Sequence, residues 1–136
     1  MTTRNESTCY CIGIRRAANA VTVFYDSALE PIGLTVNQFS LIRNLQRLGT
    51  SSISKLADYV GLERTTLTRT LKPLMQQGLI IDSADAGKRD RKLQLTGYGE
   101  EILKQGIPLW EEAQAEIEER LGKEGLQWVS KIADKL

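Results

Sequence analysis

Residues 53–81 read ISKLADYVGLERTTLTRTLKPLMQQGLII, and the order of elements in this stretch decides the fold. A short amphipathic run with Leu56 and Ala57 inward is broken by Gly61. A second run starts near Glu63 or Arg64 and carries Leu67, Leu71, Leu74 and Met75 at i, i+4, i+7 and i+8. That spacing stacks the four on one face of a helix. The other face carries Thr65, Thr68, Arg69, Lys72 and Gln76, and Gly78 is placed as a left-handed cap. Pro73 is expected to kink this helix or end its regular part, because it lacks an N–H and its ring crowds the preceding turn. Helix, glycine turn, helix is the order of a helix-turn-helix.

Two short apolar runs follow, residues 79–81 and 93–95, and the polar stretch 82–92 between them is rich in Lys and Arg. This pattern predicts a β-hairpin with a basic tip, a wing on the helix-turn-helix. Thr96 can cap a last long helix, with a kink expected at Pro108 and interruptions at Gly122 and Gly125. Upstream, Ile14, Ala17, Ala18, Val21, Phe24, Tyr25 and Ala28 recur at helical spacing and predict a long first helix, ended by Pro31 and Gly33. Thr35 and Gln38 have capping-box spacing ahead of a second helix that runs through Phe39, Leu41, Ile42, Leu45 and Leu48 to Gly49. The fold class expected is mainly α (α+β).

The outward residues suit DNA. A major groove admits one helix, Arg donates bidentately to guanine, and Thr serves a base edge or a phosphate. Arg64, Thr65, Thr66, Thr68 and Arg69 lie in the N-terminal half of the second helix, where base contacts are usually made, with Lys72 placed for phosphate. Lys88, Arg89, Arg91 and Lys92 of the hairpin are expected to enter a minor groove or clamp the backbone.

The 136-residue chain has formal net charge +1 and no histidine, so histidine catalysis and histidine metal sites are excluded. The total hides a division: residues 60–99 carry +3 and residues 100–136 carry −4. No apolar stretch is long enough for a membrane span. The polar start MTTRNEST lacks the apolar core of an export signal, so a cytoplasmic protein is expected. No cofactor is expected, and no metal. Enzyme readings are weak: Gly97-Tyr98-Gly99 is a fragment of a nucleotide fingerprint, and Glu111-Glu112 and Glu118-Glu119 are sequence neighbours that point to different parts of a helix surface.

The run SKLADYVGLERTTLTRTLKPLMQQGLI, followed by GKRDRKLQLTGYGEE, resembles the MarR family of winged-helix transcriptional regulators over nearly the whole chain. The resemblance implies one domain over 1–136. Its winged DNA-binding module would span about 35–99, with long N- and C-terminal dimerisation helices at about 9–31 and 100–136. It implies a homodimer on pseudo-palindromic double-stranded operator DNA, expected to act as a repressor. Release would follow binding of a small phenolic or other hydrophobic ligand, or thiol oxidation. By position, residues 64–72 would be the recognition segment and Arg89 the wing arginine. The family's wing has Asp two residues before that arginine, where this chain has Gly87, with Asp85 and Asp90 out of register. Arg91 is therefore the alternative groove arginine.

Burial of apolar area at about 25 cal/mol per Å² also favours a second chain over the stripes of the terminal helices. Cys9 and Cys11 open the first helix, ahead of Arg15 and Arg16. Family members that sense organic hydroperoxides carry a cysteine that matches Cys11 and pair it with two tyrosines. Tyr25 matches one of them and Arg15 occupies the place of the other. Two readings of Cys11 stand: a small residue buried in a dimer interface, or a reactive thiol. The alternatives for the protein are a hydroperoxide-sensing regulator acting through Cys11 and a dimeric interaction protein that does not bind DNA.

Overall fold

The computed structural model describes residues 9–84 and 91–136. The elements run α1 (Tyr10–Ala28), a 3₁₀ turn (Glu30–Ile32), α2 (Val36–Leu48), α3 (Ile53–Val60), α4 (Arg64–Gln76), β1 (Ile80–Asp82), β2 (Leu93–Leu95) and α5 (Gly97–Lys135). The fold is mainly helical with one small sheet, as the sequence predicts.

The helix starts are set by local chemistry. Thr35 accepts from the Gln38 N–H while the Gln38 side chain accepts from the Thr35 N–H, the full capping box. Ser52 caps α3 through the Lys55 N–H at 3.1 Å, and Thr96 caps α5 through the Gly99 N–H at 2.9 Å. Each cap satisfies a donor that the first helical turn leaves unpaired.

The core lies inside the winged module. Phe39, Ile42 and Leu45 of α2, Leu56 of α3, Leu67 and Leu74 of α4, Leu79, Leu93, and Leu103 of α5 are fully or almost fully buried. β1 and β2 pair antiparallel with Asp82 opposite Leu93. Ser51 adds a bridge on the far side of β2, exchanging N–H···O bonds of 2.9 and 2.7 Å with Leu93. Ser51 and Leu93 lie 42 residues apart, so this third rung of the small sheet has no local signal in the sequence.

The breakers behave differently from one another. Pro73 does not end α4, which continues to Gln76. Its missing N–H falls in the last turn, where only the Arg69 carbonyl loses a donor. Inside α5 the one residue with non-helical dihedrals is Gly122, at φ 74° and ψ 164°; Pro108 and Gly125 stay helical. A side chain at Gly122 would be strained at that φ, so the kink belongs to glycine.

α1 buries none of its residues within this chain. Its predicted stripe divides. Phe24, Tyr25 and Ala28 are partly covered, while Ile14, Ala17, Ala18 and Val21 are exposed. Val23 is 57% exposed, and Trp128 and Val129 near the end of α5 are 62% and 67% exposed.

Candidate nucleic-acid interface

Leu67, Leu71 and Leu74 turn the inner face of α4 into the core, and this orients everything else on the helix. A cleft of about 840 Å³ opens between its outer face and the base of the wing. Arg64, Thr65, Thr68, Arg69, Lys72 and Gln76 line one side and Arg91 the other, over a floor that includes Ile53, Met75 and Leu93. Four cations and no carboxylate line this cleft among the described residues. A concave surface of one charge sign concentrates field and attracts a polyanion.

Of the residues proposed from sequence, the cleft brings together Arg64, Thr65, Thr68, Arg69, Lys72 and Arg91. Thr66 is exposed but lies on the other flank of α4, in a smaller groove with Asn37, Ser40, Val60 and Thr70. Lys88 and Arg89, together with Asp85, Gly87 and Asp90, fall outside the described residues. The Thr68 hydroxyl donates to the Arg64 carbonyl at 2.8 Å, so its oxygen can accept from a ligand but its proton is committed.

Sequence reasoning missed Asp82. One of its carboxylate oxygens accepts the backbone N–H groups of Ala84 and Lys92, each at 3.0 Å. The other accepts Nη1 of Arg91, also at 3.0 Å. The Lys92 N–H, then the Ala84 N–H, hold the Asp82 carboxyl below the usual carboxylate range; burial opposes them, and Arg91 adds a lesser lowering. Because the folded pKa is depressed, this contribution is complete above the ordinary carboxylate range and is lost only as acid protonates the folded form. Arg91, the alternative groove arginine, is thus held by a carboxylate from the opposite strand, while Arg89 lies outside the described residues.

Away from the cleft, Arg43 of α2 stacks 4.5 Å from the centre of the Trp110 ring of α5. The two line a hollow of about 240 Å³ with Phe39, Ser40, Asn44 and Arg47. Cys9 is the N-cap of α1 and Cys11 lies in its first turn, both exposed. Tyr25 donates its hydroxyl to Gln114 Oε1, and burial, with Glu118 nearby, raises its pKa. Fourteen residues of helix separate Tyr25 from Cys11, about 21 Å along the axis. No group of three or more Cys, Asp or Glu able to hold a metal ion occurs among the described residues.

The sequence model of the MarR family matches residues 34–89, which include α2, α3, α4 and β1. The HTH-type transcriptional regulator YhbI of Bacillus subtilis is 31% identical over 110 residues, covering 79% of this chain and 71% of YhbI. The chain belongs to the MarR family. As a MarR-family protein it is a winged-helix transcriptional regulator and not an enzyme. The M. tuberculosis transcriptional regulator MosR, solved in complex with DNA, superposes with a TM-score of 0.77 at 36% identity, covering 93% of this chain and 97% of that one. NadR, solved with 4-hydroxyphenylacetate, superposes at 0.66 with 26% identity, covering 99% of this chain and 96% of that one. Among the described residues of this MarR-family chain no helix is long and apolar enough to cross a membrane.

Proposed function

We propose that this regulator is a homodimeric repressor that reads pseudo-palindromic operator DNA with α4 and grips the flanking groove with its wing. The cationic cleft between α4 and Arg91 carries the reading. Arg64, Thr65, Thr68 and Arg69 would face base edges, and Lys72 a phosphate, while Thr66 on the other flank of α4 would not share that face. Arg91 would face the minor groove or backbone, with Lys88 and Arg89 adding charge from the same hairpin. The complex of MosR with DNA supports the same use here.

The dimer rests on the exposed apolar faces of α1 and α5. Val21, Val23, Trp128 and Val129 would stay wet in a monomer, and a second chain that covered them would remove that apolar area from water. In this reading residues 9–31 and 100–136 form the dimerisation body and about 35–99 the DNA-binding module. The acidic last third would then be held away from DNA. Selection of duplexes from a random pool, followed by titration at several salt concentrations, tests the proposal. A recurring inverted repeat is expected, with affinity falling steeply as salt rises and a particle mass of twice 15.2 kDa by light scattering. A dimer that enriches no duplex would leave the protein-interaction alternative standing.

Release is proposed to follow binding of a small aromatic acid in the Arg43–Trp110 hollow. An indole face and two guanidinium groups, Arg43 and Arg47, suit one ring and one carboxylate. The 4-hydroxyphenylacetate complex of NadR supports this ligand class. A second reading is favoured by the place of the cysteines. Cys11 is exposed in the first turn of α1, and its sulfur could take the terminal oxygen of a hydroperoxide, releasing the alcohol and leaving a sulfenic acid. With Tyr25 about 21 Å away along the same helix, a contact between Tyr25 and Cys11 would need the Tyr25 of a second protomer. One release assay separates the two readings. Aromatic acids should lose their effect in Arg43→Ala, and hydroperoxide should lose its effect in Cys11→Ser. Equal release in wild type and variant removes the corresponding sensor.

A further inference from the structure

We infer that Asp82 is a positioning residue for DNA binding, holding the Arg91 guanidinium on the wing side of the α4 cleft. The inference rests on the DNA-reading function proposed above. Asp82 ends β1 and sits opposite Leu93, so its side chain lies where the hairpin leaves the sheet. Its two backbone N–H bonds, from Ala84 and Lys92, tie both sides of the hairpin to one carboxylate before Arg91 is counted. Arg91 therefore lands on an acceptor that is already fixed. The carboxylate side chain is 17% exposed and that of Arg91 52%.

An ion pair this exposed does little for stability. Its effect is on direction. A guanidinium has five N–H donors, and the contact with Asp82 uses one terminal nitrogen, so the remaining donors stay available to a phosphate or a groove edge. Without the carboxylate, Arg91 would sample many rotamers and lose that freedom only on binding, which weakens the complex.

The sign of one measurement decides the matter. Removing a carboxylate beside a polyanion should, by charge alone, tighten DNA binding. If Asp82 orients Arg91, Asp82→Asn weakens it instead, since Asn keeps an oxygen for the two backbone donors but loses the charge that holds Arg91. Anisotropy titrations of a selected operator duplex with wild type, Asp82→Asn, Arg91→Ala and the double variant provide the test. Asp82→Asn is expected to bind about fivefold to tenfold more weakly, with a shallower salt dependence and an unchanged Tm. The double variant should bind no more weakly than Arg91→Ala. Equal or tighter binding by Asp82→Asn overturns the inference, as do strictly additive losses or a collapse of Tm. If wild type selects no duplex at all, the DNA-reading function falls first. If wild type binds and Asp82→Asn matches it, only the role of Asp82 falls.

Discussion

Replacing Arg69 with alanine should relax or abolish operator choice while leaving the fold and the dimer intact. Arg69 lies on the outer face of α4, opposite Leu67, Leu71 and Leu74, which are buried. No carboxylate lines the cleft with it among the described residues, so its guanidinium is not neutralised there. A bidentate arginine–guanine contact discriminates against the wrong base by about 1–3 kcal/mol. A two-fold dimer on a palindrome makes that contact twice, so about 2–6 kcal/mol of selectivity is at stake, on the order of thirtyfold to twenty-thousandfold. The variant should still bind duplex DNA through Lys72, Arg64 and the wing, with operator and random sequence converging in affinity. Surface substitution away from the core should change stability by only about 0.5 kcal/mol. Competition titrations with operator and scrambled duplexes at one salt concentration give the result. Full retention of specificity would mean that a different face of α4 meets the bases.

The second large effect is structural. Gly99 lies in the first turn of α5, and a Cβ built there would stand 2.1 Å from the Leu79 carbonyl oxygen. That oxygen cannot retreat without cost. It accepts the Thr96 N–H at 3.1 Å, and Leu79 itself is buried beside β1. The Thr96 hydroxyl also donates to the Gly78 carbonyl at 2.6 Å, so one joint ties the end of α4, the start of β1 and the cap of α5. Gly99→Ala must spread this joint. Overpacking against backbone costs about 1–3 kcal/mol and sometimes more, which for a chain of this size lowers Tm by roughly 3–15 °C. DNA binding should weaken with it, because the wing is seated on the same joint. Gly97→Ala is the control: a Cβ there meets nothing within 4 Å, and alanine is the better helix former. If Gly99→Ala melts with the wild type, the close approach to Leu79 does not constrain the helix start.

Most of the architecture was legible because it is written in short-range chemistry. Thr35 with Gln38, Ser52 with Lys55 and Thr96 with Gly99 are bonds between residues three apart, and each needs only the residue types and their spacing. The inward Leu67, Leu71 and Leu74 and the outward Thr65, Arg69 and Lys72 follow from helical periodicity alone. The Gly122 break was foreseen. Pro73 does not end α4 and Gly125 does not interrupt α5, because packing carries a helix across one lost bond or one poor helix former.

The candidate site was only half visible. Nothing local told Asp82 apart from Asp85 or Asp90 as a partner for an arginine, since the pairing with Arg91 depends on hairpin register. The separation of Thr66 from Thr65 depends on which flank of α4 faces α2 and which faces the wing.

The sequence by itself determined the order of elements, their caps, the inner and outer faces of α4 and the division of charge between a basic middle and an acidic end. Only the tertiary structure decided which carboxylate holds Arg91, that Ser51 joins the sheet, and that Gly99 must have no side chain. Those contacts join residues 9, 42 and 20 positions apart, and their geometry exists only after the whole core has packed.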